Sequence, residues 1–259
     1  MRVHILGSGT SSGVPVIGCH CSVCRSSDPK NQRTRASIAV SDAGRTVMID
    51  TSPEMRLQVI RAGIEDIDGL LYSHMHADHT AGFDDLRAFF FKTRRPLDCY
   101  LLPEYFEELK TRFRYAFVDL GYHGLTPQVN LLAIPDESFH FAGFDIEPVR
   151  LQHGNVPSCG FRFGRFAYVT DFKHFPRKKI EEWRGKIDVM VASGIHFGTH
   201  ATHSVIPETL QLFDDLAVKR GIISHLAHDV DYVEHAALLP NFAEYAFDGM
   251  TIDLEALVS

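Results

Sequence analysis

Short apolar runs bounded by Gly, Pro, Asn or Asp recur along the chain, and most read as β-strands. They predict strands at residues 3–6, 36–40, 46–49, 69–72 and 99–102. Further strands are predicted at 130–134, 138–141, 145–151, 160–163, 166–169, 189–192, 222–224, 244–247 and 250–253. Helical spacing is rarer. Ser52-Pro53-Glu54 offers a capping hydroxyl and a proline at the first helical position; Met55, Val59 and Ile60 give apolar spacing, and Gly63 closes the helix. Proline also opens predicted helices at 103–113 and 207–219, the second closed by Gly221. Shorter helices are predicted at 175–183 and 232–239. Strands with helices between and after them predict an α/β (α+β) protein, its sheets covered by helices in one domain spanning 1–259. No internal repeat, low-complexity tract or long linker divides it.

Composition narrows the class. With 45% hydrophobic residues, and 19 Phe and 8 Tyr spread through 259 positions, the chain can bury a core unaided. That excludes disorder as its main state. No uninterrupted apolar run exceeds four residues, whereas a membrane-spanning helix needs about 20. The 33 Asp and Glu against 26 Lys and Arg leave a net charge of -7, which disfavours a non-specific grip on long nucleic acid. A small anionic substrate stays open, because bound metal ions reverse the local sign. Met1-Arg2-Val3-His4-Ile5-Leu6 reads directly as a strand rather than a leader, so the expected compartment is the cytoplasm. The unusual count is histidine, 15 residues, many beside Asp or Cys. That pattern asks for metal.

The most informative stretch is Leu70-Leu71-Tyr72-Ser73-His74-Met75-His76-Ala77-Asp78-His79. An apolar strand runs into four potential ligands. His74 and His76 share a face of an extended chain but would diverge by about 200° in a helix. Asp78 and His79 follow, where a loop or helix start turns them toward a neighbouring position. The rival reading is a solvated polar loop. A dinuclear site needs ligands from elsewhere, and His153, Asp171 and His225 each sit just past a predicted strand. Open sheets display their chemistry there. Taken singly, each is also a core-edge His or a turn-capping Asp.

Together, His74-x-His76-x-Asp78-His79 with later His153, Asp171 and His225 resembles the metallo-β-lactamase superfamily over nearly the whole chain. The resemblance implies a four-layer αββα sandwich with a two-metal site between the sheet edges. It implies that His74, His76 and His153 hold one divalent ion, that Asp78, His79 and His225 hold the other, and that Asp171 bridges them. Asp50, after the strand at 46–49, resembles the family's aspartate that hydrogen-bonds the ligand loop.

Gly18-Cys19-His20-Cys21-Ser22-Val23-Cys24 places three thiols in six residues, in a Cys-rich loop at 18–25. Three thiolates and one imidazole make a closed structural zinc site. Disulfides are the alternative, but Cys19 and Cys21 are too close for easy bridging and the expected compartment is reducing. His228 as the fourth ligand is similar to the PhnP-type phosphodiesterases, which act on phosphoribosyl cyclic phosphate. The segments 6–15 and 33–37 also look like that subfamily. So does His203, which by this resemblance is the general acid near the leaving group. Cys99 and Cys159 match nothing and read as small buried apolar residues.

The resemblance thus implies metal-dependent hydrolysis of a small cyclic or nucleotide-like phosphodiester. Its attacking group would be a hydroxide shared by two manganese or zinc ions. It also suggests a homodimer. Hydrolysis of a thioester, lactone or lactam, and a non-hydrolytic role in quinone-cofactor biosynthesis, are the alternatives. Gly7-Ser8-Gly9-Thr10-Ser11-Ser12-Gly13 is a poor dinucleotide fingerprint, because its last glycine is one place late and no helix start follows. His196-Phe197-Gly198-Thr199-His200 has helix-type spacing, but Gly198 makes it a loop near the site. Arg94-Arg95 and Arg112-x-Arg114 read as phosphate contacts or as surface charge. The aromatic and basic stretch 105–124 is expected to border the substrate pocket.

Overall fold

Each expected strand forms, with ends shifted by a few residues. The computed structural model describes residues 1–118 and 126–257. Its strands are β1 (Arg2–Gly7), β2 (Ser37–Asp42), β3 (Arg45–Ile49), β4 (Gly69–Leu71), β5 (Leu97–Leu101), β6 (Val129–Ala133) and β7 (Phe139–Phe141). They continue as β8 (Phe144–His153), β9 (Val156–Phe163), β10 (Phe166–Val169), β11 (Val189–Ser193), β12 (Arg220–Ser224), β13 (Ala243–Tyr245) and β14 (Thr251–Asp253). The α-helices are α1 (Met55–Ala62), α2 (Ala77–Thr80), α3 (Arg87–Thr93), α4 (Phe106–Arg112), α5 (Arg114–Phe117), α6 (Arg177–Trp183) and α7 (Ile206–Asp215).

Two seven-stranded sheets result, ordered β14-β1-β2-β3-β4-β5-β6 and β13-β12-β11-β10-β9-β8-β7. Each has an antiparallel half and a parallel half. In the first, pairing turns parallel from β3 onward to β6. In the second, β10 to β13 are parallel. Strand periodicity explains the layers. Phe166, Tyr168, Val189 and Val191 enter the core shared with Val3, Ile5, Val40 and Ile49 of the first sheet. Their neighbours Ala167, Val169, Met190 and Ala192 point the other way and pack with Trp183 of α6 and Ile206, Leu212 and Phe213 of α7. Met55 and Val59 of α1 extend the first core. Burial on both faces is why β10 and β11 read as unbroken apolar runs. The result is an α/β sandwich. No helix among the described residues is long and apolar enough to cross a membrane.

Three helix expectations need correction. The helix expected at 207–219 ends at Asp215: Ala217 turns left-handed (φ 55), and the Leu216 carbonyl accepts Gly185 N–H. Gly221 lies in β12 instead of closing that helix. A Cβ there would stand 2.2 Å from the Phe213 ring, so only glycine lets α7 pack this close. The helix expected at 232–239 is turns with a 3₁₀ segment at Ala236–Leu238. Asn31 Oδ1 takes Tyr232 N–H, and Asp231 Oδ1 takes the next two N–H groups, a side-chain-anchored turn that competes with helix. The helix expected at 175–183 starts at Arg177, just after Pro176.

Glu147 of β8 fastens α6. Its carboxylate accepts from Lys179 Nζ (2.8 Å), Trp183 Nε1 (2.8 Å) and Arg162 Nε (3.0 Å). Burial alone would raise this carboxyl, but Lys179, Trp183 and Arg162 outweigh it and hold it down to about 2. The unfolded value is about 4.3, so the stabilisation is complete above that and is lost as pH falls through the folded value. Glu147→Gln is expected to cost about 1–2 kcal/mol at neutral pH, after allowing for solvent screening, and to flatten the acid limb of stability. Urea unfolding from pH 7 down to pH ~3 checks this; an unchanged acid limb would remove the assignment.

Candidate metal centre

The parallel strands of both sheets end at one place. Asp50 follows β3, the stretch 74–79 follows β4, Asp171 follows β10, and His225 follows β12. His153 is the last residue of β8 rather than lying beyond it, because that strand runs two residues further than expected. Asp50, Asp171 and His225 all adopt left-handed backbone (φ 66, 50 and 59). Such conformations cost free energy in non-glycine residues and concentrate at functional sites. The sheets are also joined here: Cys159 N–H of β9 donates to the Ser73 carbonyl (2.8 Å).

Asp50 organises the ligand loop. Its Oδ1 accepts Ser73 N–H, and its Oδ2 accepts Ser73 Oγ–H and faces His79 Nδ1, each at 2.7 Å. That turns His79 Nε2 toward Asp171 Oδ2 (3.1 Å) and Asp78 Oδ2 (3.3 Å). The Thr51 peptide clips the loop from both sides, donating to His79 O (2.7 Å) and accepting from Gly82 N–H (3.0 Å). His74, His76 and His153 form one group of converging donors, and Asp78, His79 and His225 form another. Asp171 stands between them. Its Oδ1 lies 3.3 Å from His225 Nε2, 3.5 Å from His203 Nδ1 and 3.9 Å from His153 Nε2. His153 Nδ1 faces the Thr202 carbonyl at 2.9 Å, which aims its Nε2 inward.

The electrostatics match a cation site. Burial opposes charge on His79 and His225, yet the nearby carboxylates, led by Asp171, outweigh it and raise both imidazoles. Burial works against Asp171 and Asp78 as carboxylates, but these imidazoles hold both well below the usual range. Burial depresses His74, His76 and His203, the last to about 3. His74 Nε2, His79 Nε2 and both ring nitrogens of His225 are buried without a hydrogen-bond partner. Buried polar atoms seldom stay unsatisfied. Nitrogen and carboxylate donors grouped this way fit divalent cations.

A second cluster is separate. Cys19, Cys21 and Cys24 Sγ lie 3.3, 3.5 and 3.6 Å from His228 Nδ1. Tetrahedral zinc with Zn–S of about 2.3 Å and Zn–N of about 2.0 Å separates such donors by about 3.5 Å, so the residues fit the ion. All five cysteines are free thiols. Cys24 N–H and then His228 lower the Cys21 thiol to about 6, while burial raises Cys24 to about 11. Arg33 holds the His228 loop, donating to Ala227 O (2.9 Å) and Val230 O (2.7 Å).

Every ligand expected from the sequence therefore converges on one of these two clusters, and His203 joins the first. Cys99 and Cys159 are fully buried. The turn 7–13 leads into no helix; instead Ser8 O accepts Leu226 N–H and Thr10 N–H donates to Leu226 O, bracing His225. The segment 196–200 is a loop. Of the stretch 105–124, positions 119–124 lie outside the described residues. Within it, Arg112 is neither free surface charge nor a bare phosphate contact. It donates to the Met75 carbonyl, Thr80 Oγ1 and Glu108, tying α4 to the ligand loop. No local sequence signal marks that role, nor that of the Thr202 carbonyl.

A family profile described as beta-lactamase superfamily domain matches residues 45–226. The crystal structure of a new diphosphatase from the PhnP family superposes with a TM-score of 0.90 at 34% identity, covering 98% of this chain and 97% of that one. Zinc-bound PqqB from Methylobacterium extorquens shares the fold at a TM-score of 0.80 and 20% identity, covering 98% of this chain and 100% of that one. An octanoyltransferase of Porphyromonas gingivalis is 35% identical over 262 residues, 100% of this chain and 52% of that protein. This chain thus spans about half the length of that curated relative.

Proposed function

Since the chain belongs to the beta-lactamase superfamily, and within it to the PhnP family, we propose that it is a metal-dependent hydrolase of a small phosphodiester. One observation carries this reading: six buried or half-buried donor residues from both sheets converge around Asp171, and several of their ring nitrogens make no hydrogen bond. His74, His76 and His153 would hold one manganese or zinc ion, and Asp78, His79 and His225 the other, with Asp171 facing both. Divalent ions in such a site make water nucleophilic near neutral pH and neutralise charge on phosphoryl oxygens. Cys19, Cys21, Cys24 and His228 would hold a structural zinc.

The chain's own residues do the positioning. Asp50 fixes His79 through Nδ1, and the Thr202 carbonyl fixes His153. His203, its ring 4.2 Å from that of His153 and 5.0 Å from that of His225, is left neutral by its burial; it gives a proton to the leaving oxygen only once a bound phosphoryl group raises it, and otherwise holds a phosphoryl oxygen. The likeness to a PhnP-family diphosphatase supports phosphorus over carbon as the reacting centre. The net charge of -7 favours a small substrate over long nucleic acid. Five free thiols accord with a cytoplasmic setting, and the subfamily resemblance with a homodimer.

Acyl-bond hydrolysis is the second reading, favoured by the likeness to a protein named octanoyltransferase. Turnover of bis(p-nitrophenyl) phosphate, a thioester and a cephalosporin, side by side with manganese or zinc, decides between them. The diester is expected to be preferred; clear preference for an acyl substrate overturns the proposal. A non-hydrolytic accessory role, favoured by the likeness to a coenzyme PQQ synthesis protein B, predicts the structural zinc alone rather than about three ions per chain. His203→Ala is expected to slow turnover about 10²–10⁴-fold while leaving ion content near normal. Large ion loss would make His203 a ligand instead.

A further inference from the structure

Asp171 faces His79 and His225 of one donor group and His153 of the other. Its carboxylate therefore cannot turn without disturbing both. β10 ends at Val169, and Thr170 and Asp171 follow it out of the sheet. Two buried hydroxyls that the reading above leaves without a task hold residue 171 there. Ser158 Oγ–H, from the neighbouring strand β9, donates to the Asp171 carbonyl at 2.7 Å. That pins the left-handed backbone (φ 50) and fixes where the side chain departs.

The rotation of the carboxylate is a separate matter, because the last torsion of an aspartate is broad and roughly two-fold. Thr170 Oγ1–H donates to Asp171 Oδ2 at 2.6 Å, a length typical of a hydroxyl on an ionised acceptor. Thr170 is 2% exposed and Asp171 1%, so bulk water does not compete for that oxygen, and the low local dielectric strengthens the bond. The donor is itself stiff, being β-branched. With Oδ2 engaged by Thr170, Oδ1 is the oxygen that lies 3.3 Å from His225 Nε2 and 3.9 Å from His153 Nε2, one imidazole from each donor group. A buried hydroxyl also needs an acceptor for its own sake. The two roles differ in whether ion affinity depends on the bond.

We infer that Thr170 is a positioning residue of the metal centre: its hydroxyl sets the rotation of the Asp171 carboxylate, and through it the affinity for the ions on both sides. The inference rests on the metal-centre reading above and adds to it a residue outside the ligand set.

Manganese titration of the full chain, after its exchangeable ions are removed by dialysis, tests it, with free manganese read from its electron paramagnetic resonance signal. Thr170→Val, which keeps the branched shape and removes the donor, is expected to bind manganese about 10–100-fold more weakly than wild type. Thr170→Ser, which keeps the hydroxyl, is expected to recover most of that loss. Zinc at the cysteine cluster should stay at about one ion per chain in both variants, a quantity that general loosening of the fold would lower. Thr170→Ala carries the test if the valine variant does not fold. Wild-type affinity in Thr170→Val, or a serine variant as weak as the valine one, overturns the inference alone. A wild-type chain that takes up no manganese overturns the metal-centre reading together with it. If manganese binds as expected but bis(p-nitrophenyl) phosphate is not turned over, the hydrolase reading falls and the role of Thr170 stands.

Discussion

Asp171→Asn is expected to reduce bis(p-nitrophenyl) phosphate hydrolysis to background and to strip the chain of its catalytic ions, leaving about one structural zinc. The argument is positional. One carboxylate oxygen faces His79, and the other faces His225, His203 and His153. An amide keeps the shape but loses the charge and one acceptor, and a change to a group that merely orients a ligand already costs about 10–100-fold in metal affinity. Loss of a carboxylate placed between two donor groups should exceed that. Asp171→Ala is expected to abolish activity as well, with a fold cost of about 1–2 kcal/mol, because alanine must hold the left-handed backbone that Asp or Asn tolerates. Elemental analysis with turnover on both variants checks this. Retention of about three ions and near-native rates in the Asn variant would remove Asp171 from the centre.

Cys21→Ser should act on the fold more than on the chemistry. Cys21 is the thiol already poised as thiolate near neutral pH, by the N–H of Cys24 and then by His228. A hydroxyl in its place is a poor zinc ligand, and structural zinc binding is folding free energy. The variant is expected to lose the structural zinc and several kcal/mol of stability, of the order seen on losing a structural crosslink, about 2–5 kcal/mol. Thermal melting with zinc analysis measures both. Near-native melting with the zinc absent would show that the cluster does not hold the fold. His228 lies three residues beyond His225, on a loop pinned by Arg33. Some loss of ion affinity at the catalytic centre should therefore follow.

The convergence of the candidate ligands was legible because their densest part is local. His74, His76, Asp78 and His79 stand at the end of one apolar strand, where period-two geometry fixes what they share. His153, Asp171 and His225 were legible through strand-end position, although His153 proved to be inside its strand. Short helices were not. At four to seven residues, α2, α3 and α5 offer too little periodicity to read. Gly221 misled because glycine ends helices as readily as it admits a neighbouring ring, and only packing against Phe213 separates the two. Arg112 and Thr202 were illegible for a different reason. What they contribute is a contact with a main-chain or side-chain atom far away in sequence, such as Met75 O or His153 Nδ1.

The matched antiparallel and parallel halves of the two sheets divide the chemistry between the halves of the chain. Residues 1–133 carry His74, His76, Asp78 and His79, and residues 139–245 carry His153, Asp171 and His225. Neither portion owns a complete cradle. A cation held by donors from both portions would therefore be fully bound only once they dock, which ties ion uptake to the assembly of the two sheets.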